Sequence, residues 1–183
     1  AGAGAAAVFV VVYISFMGYA GDRVTAWLHP ELDPGDTGYQ ILQSLYAIGS
    51  GGLFGLGYGK SRQKYLYLPF QYNDYIFAVI CEELGLVGAM AIVALFAVTI
   101  LRGYWIALNA RDRFSTVLAA GLVTLIAVQT ILNLCVVTNL LPSTGIALPF
   151  FSYGGTALAV NLGEMGIVLG VSRGRNRRKI QEA

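Results

Sequence analysis

Four stretches of this chain are apolar for long enough to cross a bilayer, and polar segments of very unequal length separate them. A helix rises about 1.5 Å per residue, so about 20 apolar residues span the hydrocarbon core. Residues 1–20, 75–101, 114–139 and 152–171 meet that demand. They predict an all-α polytopic membrane bundle of four transmembrane helices in a single membrane domain. A long polar loop, 22–74, follows the first span, and a basic tail, 172–183, closes the chain. The chain opens at Ala1 already inside an apolar run, with no basic stretch before it. That is the expectation for a piece of a longer protein beginning within a span, not for a signal peptide.

The long loop has its own pattern. Residues 29–38, HPELDPGDTG, are dense in turn formers. From Tyr39 to Ile48 the apolar residues Ile41, Leu42, Leu45 and Ile48 recur at helical spacing and predict a short amphipathic helix. Residues 49–59 are glycine-rich and read as irregular. A loop this long inside a compact protein is usually functional or disordered, and its aromatic and apolar content argues against disorder. Its last part, 57–74, begins with the cations Lys60, Arg62 and Lys64, turns aromatic, and ends on Asp74. The second span starts immediately afterwards and carries Glu82 and Glu83. The loop thus sets a carboxylate where water meets lipid, with cations shortly upstream.

Composition supports the membrane assignment. The chain is 56% hydrophobic and 12% charged, against about 25% charged in soluble domains. Orientation follows from the placement of Lys and Arg. Residues 102–113 form a short turn with Arg102, Arg111 and Arg113, and the tail carries Arg173, Arg175, Arg177, Arg178 and Lys179. Four spans put that turn and that tail on one side, the cytoplasm. The loops 22–74 and 140–151 then face outward. These basic groups flank apolar spans, and no nucleic-acid partner is expected. Cys81 and Cys135 lie in apolar runs and read as buried, inert thiols. A single histidine, His29, excludes a His-rich metal site.

Several residues could carry chemistry. An aspartate just before a helix is favoured as an N-cap, accepting from the first free N–H groups. Asp74 at a lipid boundary is equally a candidate general base, since desolvation raises a carboxyl pKa and nearby cations lower it. Lys60, Arg62 and Lys64 suit either an interfacial anchor or a phosphate clamp. The string from Gly55 to Ser61 is not a P-loop, because the required first glycine is Phe54 and no strand precedes it. Glu82 and Glu83 lie about 12 Å or more along a helix from Asp74, too far to flank one glycosidic bond with it. They, Asn161 and Glu164 are either functional intramembrane groups or buried contacts. Gln129 and Asn133, four apart, suit bonds between helices. Ser152 lacks an evident base, and the loop 140–155 reads as a rigid turn ordering the top of the bundle.

These motifs carry a resemblance. Gly59-x-Ser61-x-Gln63-Lys64, Tyr67-Leu68-Pro69, Asp74-Tyr-Ile-Phe77-Ala78 and Glu82-Glu83-Leu84-Gly85 are similar to a signature of the SEDS family (shape, elongation, division and sporulation), which includes FtsW, RodA and SpoVE. Pro142-x-Thr144-Gly145 and Leu148-Pro149-Phe150-x-Ser152-Tyr153-Gly154-Gly155 resemble its other signature. The resemblance covers essentially the whole chain and corresponds to the C-terminal part of a fold with about ten spans. It implies a bacterial inner-membrane glycosyltransferase that polymerises lipid II outside the membrane beside a class B penicillin-binding protein transpeptidase. It implies Asp74 as the catalytic aspartate, with Lys60, Ser61, Arg62, Gln63, Lys64, Pro69, Thr144, Ser152 and Tyr153 at the substrate. A divalent cation, Mg²⁺ or Mn²⁺, could share the pyrophosphate, with ligands unassigned. Phe70-Gln71 stand where the family often has an acid after Leu-Pro, and Cys135 and Asn139 where it often has glycine. The SRQK and VVTNLLPSTGIALPF wording leans towards the division and sporulation branch. A lipid II flippase and a non-enzymatic divisome scaffold remain the alternatives.

Overall fold

A computed structural model describes residues 21, 23–32, 37–61 and 74–181 of the chain. The expected first span, 1–20, lies outside them. Residues 23–28 are helical and a 3-10 turn covers Pro30–Leu32. Four longer helices follow: α1, Thr37–Gly51; α2, Ile76–Leu108; α3, Arg113–Val137; and α4, Gly155–Gln181. No strand occurs among the described residues. Helices α2, α3 and the Gly155–Gly174 part of α4 are each long and apolar enough to cross a membrane.

The expected amphipathic helix is α1, but its buried face differs from the expected one. Gly38, Ile41, Ser44, Ala47 and Gly51 are buried, while Leu42, Leu45 and Ile48 are only half-buried. Small residues on this stripe let two backbones approach closely, which is how helices pack where lipid removes the hydrophobic drive between them. A Cβ on Gly51 would run into the Cys81 carbonyl of α2. Ser44 donates to Ile41 O (2.8 Å) and reaches Val137 O at 3.3 Å, tying α1 to the end of α3.

α2 is not one continuous helix. Gly85 has φ 67° and ψ −170° in its interior, a conformation open only to glycine at low cost. The break frees backbone groups deep in the bundle, and the glycine-rich segment 52–57 takes them. Leu56 N and Gly57 N donate to Glu82 O (2.9 Å) and Glu83 O (3.0 Å). Leu86 N and Val87 N donate to Gly52 O (2.9 Å) and Leu53 O (3.2 Å). Non-helical backbone at membrane depth survives only where protein or water satisfies it, and here protein does.

Beyond the break, α2 runs on to Leu108, so the expected turn 102–113 shrinks to 109–112. Arg102 does not end the helix. Its long stem tolerates an apolar surround, and its guanidinium lies 5.3 Å from the Trp105 ring centroid. Asp112 caps α3, accepting from Ser115 N (3.0 Å) and Ser115 Oγ (2.8 Å). These bonds hold its carboxyl below the usual aspartate range. One apolar cluster joins Ala47, Phe77, Ala78, Val137 and Leu148 at one end of the bundle. A second joins Ala107, Ala119, Val123 and Val168 at the other.

The interlock at Gly85 predicts a large effect of one methyl. A Cβ there would stand 2.6 Å from Leu53 O and closer still to Gly55 N. Gly85→Ala is expected to cost about 3 kcal/mol or more, from left-handed strain plus backbone collision. Gly121→Ala, where a Cβ meets nothing within 4 Å, is expected to change stability by at most about 1 kcal/mol. Thermal unfolding of the full-length protein in detergent measures both.

Candidate active site

Three pieces of chain converge on Asp74: the turn before α2, the loop between α3 and α4, and the helical residues 23–28. The loop leaves α3 through Asn139, at φ 57°, with Leu140 N and Leu141 N both donating to Cys135 O (2.7 and 3.2 Å). It reverses again at Gly145, φ 71°. A Cβ on Gly145 would lie 3.7 Å from Asp74 Oδ2, so this glycine borders the carboxylate.

Asn133 of α3 locks the arrangement from beneath. It is 1% exposed, and its Nδ2 donates both to Asp74 O (2.7 Å) and to Ile146 O (2.8 Å). One buried amide thus ties the turn to the loop. The spacing of Gln129 and Asn133 suggested bonds to another helix; Asn133 bonds to loop backbone instead. Gln129 lines a cavity of about 460 Å³ with Ile146, Thr156 and Asn161, directly beside this tie.

The carboxylate does not cap α2. The N-cap position is Tyr75, and no side chain caps the helix. Asp74 is half-buried, and among the described residues no donor bonds its carboxylate. Burial pushes its pKa up, and the positive charge of Arg23 opposes the rise. Arg23 donates from Nη1 to Ser143 O at 2.7 Å, two residues from Gly145. Tyr75, 1% exposed, has Ser143 against its hydroxyl, and burial raises its pKa as well.

The other expected site residues divide. Arg62, Gln63, Lys64 and Pro69 lie outside the described residues. Lys60 is exposed. Ser61 is buried, and its hydroxyl donates to the Glu82 carboxylate, also buried, which anchors the end of the glycine-rich segment to α2. Thr144 is exposed beside Gly145. Ser152 accepts from Leu148 N at 2.7 Å, while Ser152 N donates to Leu148 O at 3.1 Å, closing the rigid turn. Tyr153 is exposed. Cys81 and Cys135 are free thiols lining a second, apolar cavity of about 360 Å³ between α1, α2 and α3.

A family model described as cell cycle protein, covering FtsW, RodA and SpoVE, matches residues 2–177. The chain belongs to the FtsW/RodA/SpoVE family. It is 51% identical over 151 residues to stage V sporulation protein E of Bacillus subtilis (strain 168), covering 82% of this chain and 41% of the relative. It is 46% identical over 164 residues to a probable peptidoglycan glycosyltransferase FtsW of Geobacter metallireducens, covering 90% and 44%. The chain therefore spans under half the length of these curated relatives. A solved peptidoglycan synthase complex, described for its structural coordination of polymerization and crosslinking, contains a matching chain. That match has a TM-score of 0.71 at 30% identity, over 92% of this chain and 46% of that one. The crystal structure of an aspartate-to-alanine mutant of Thermus thermophilus rod shape determining protein RodA matches with TM-score 0.57 and 32% identity, over 72% and 40%. Membership of this family, with three apolar helices long enough to cross a bilayer, makes the chain part of a multi-pass membrane protein.

Within this candidate site of an FtsW/RodA/SpoVE family chain, Arg23 is the residue that sequence reading missed. It lies at the start of the long polar loop, just past the first apolar run, and nothing local links it to a loop far along the chain. A divalent ion finds little here: among the described residues no three His, Cys, Asp or Glu side chains cluster.

Replacing Asn133 tests the tie. Asn133→Leu leaves two half-buried carbonyls without this donor, at an expected cost of about 1–3 kcal/mol. A lowered thermal midpoint of the full-length protein is the readout. Gln129→Leu, four residues away and lining a cavity, is expected to cost less.

Proposed function

We propose that this chain is the C-terminal part of a peptidoglycan glycosyltransferase, a polymerase that joins lipid II into glycan strands at the outer face of the bacterial inner membrane. Its four spans carry the loops 22–74 and 140–151 to that outer face, and the tail from 172 onward lies in the cytoplasm. The observation that carries the reading is the Asp74 carboxylate. It is half-buried beside an arginine, pinned by its own backbone, and not used as a cap. Such a group suits one task, taking a proton.

In the reaction the acceptor sugar hydroxyl attacks the anomeric carbon of the donor. A C–O bond forms there as the bond to the lipid diphosphate breaks, and the diphosphate departs with the electron pair. The hydroxyl proton passes to Asp74 as general base. The leaving group is already a good one and needs positive charge more than a protonated acid. Lys60, with Arg62 and Lys64 beyond it, supplies that charge from the loop. The names of the relatives support this chemistry, since several are called probable peptidoglycan glycosyltransferases. The synthase complex, named for polymerization with crosslinking, supports a class B penicillin-binding protein as the partner that crosslinks the product.

A transporter reading draws on the broken helix at Gly85, with Glu82 and Glu83 at the break, since transporters bind ions at discontinuous helices. Here, however, the freed backbone is filled by residues 52–57 and Glu82 is bonded to Ser61. The break serves packing, which favours the polymerase.

Asp74→Asn in the full-length protein is expected to abolish lipid II polymerisation in a reconstituted assay; full activity in that variant overturns the mechanism. Its stability gives a second readout. A folded-state pKa raised by burial means stability present at low pH is lost as pH rises through that pKa. Above it the buried carboxylate is a cost that asparagine lacks, so Asp74→Asn is expected to be at least as stable as wild type at neutral pH.

A further inference from the structure

We propose that Arg23 is the positioning residue of this site: together with Trp27 it clasps the loop 139–147 against the Asp74 turn and holds a fixed positive charge beside the carboxylate. The inference rests on Asp74 acting as the base.

The geometry is specific. Arg23 and Trp27 are four apart within the helical residues 23–28 and so share a face. Both donate to backbone carbonyls at the start of one loop, Arg23 to Ser143 O (2.7 Å) and Trp27 Nε1 to Asn139 O (2.9 Å). Ala26 beside them is 3% exposed, so the segment is seated, not merely nearby. Between the two anchored carbonyls the loop has only residues 140–142, and Gly145 lies two residues past Ser143, against Asp74 Oδ2. From the other side Asn133 holds Ile146 O and Asp74 O. The short segment 143–146 is therefore fixed at both ends, by a cation outside and a buried amide inside.

An arginine suits this place better than a lysine. Its planar head presents several donors and keeps its charge while bonded to a carbonyl. Among the described residues, the charged or titratable groups facing Asp74 are Arg23 and, on its own turn, Tyr75. The loop and the adjoining turn of α3 bring Ser143, Thr144 and Asn133, which do not titrate. Tyr75 has its pKa raised and stays neutral. Arg23 is thus the described cation that limits how far burial raises the carboxyl. Without it the base would be protonated at higher pH and would work over a narrower range.

The test is the pH–rate profile of lipid II polymerisation by the full-length enzyme, for wild type, Arg23→Gln and Arg23→Lys, with Asp74→Asn alongside. Arg23→Gln is expected to lower the rate about tenfold or more and to move the acid limb up by about half a pH unit or more, as loss of a neighbouring cation requires. Arg23→Lys is expected to lose rate while keeping the limb where wild type has it. A limb at the wild-type position in Arg23→Gln, with or without a slower rate, overturns the proposal by reducing Arg23 to a structural contact. Should Arg23→Gln not fold, Arg23→Lys still decides, since a limb raised by about half a unit there contradicts a role for the charge. Activity retained in Asp74→Asn would instead overturn the reading of the base.

Discussion

Every polar backbone group inside a bilayer must find a partner in the protein, and this constraint shapes the whole bundle. The clearest case is the break at Gly85. Two carbonyls and two N–H groups released from α2 are taken by residues 52–57, a segment that stays close because Gly51, Gly55 and Gly85 carry no Cβ. The glycine-rich stretch is therefore part of the scaffold packed against α2 and not a loose loop. Its end is fixed too, by Ser61 on Glu82. The cations that follow Ser61 thus leave from an anchored point.

The same rule operates at the mouth of the bundle, through side chains. Asn133 satisfies two carbonyls, Arg23 a third and Trp27 a fourth. Ser152 and Leu148 close the turn on themselves. Against this background of engaged groups, the Asp74 carboxylate stands apart. It is half-buried, without a hydrogen-bond donor among the described residues, and has a cation for a neighbour. Neither a helix cap nor a hydrogen bond from a described residue occupies it, which is what the proposed role as a base requires.

Much of this was legible in the sequence. Continuous hydropathy marks α2, α3 and α4, and the helical spacing of Ile41 to Ile48 marks α1. Asp74 was legible from its place, at the end of a polar loop and the start of an apolar helix. Gly85 was not, because hydropathy runs through it unbroken and a lone glycine in a helical pattern is usually tolerated. The extension of α2 past Arg102 was missed because a long cationic side chain was read as a boundary. Arg23, and the bond from Ser61 to Glu82, are long-range contacts, which periodicity does not encode. The buried stripe of α1 was misread for a related reason: in lipid, small residues mark a packed face better than leucines do.

The central claim is that Asp74 is a desolvated carboxyl poised to accept a proton, and its titration tests that most directly. Infrared difference spectroscopy of the full-length protein against Asp74→Asn would follow the protonated carboxyl band as pH changes. The account predicts a midpoint above the ordinary aspartate range of about 3.9. A midpoint at or below that range would contradict it, since the carboxylate would then be solvated or already bonded.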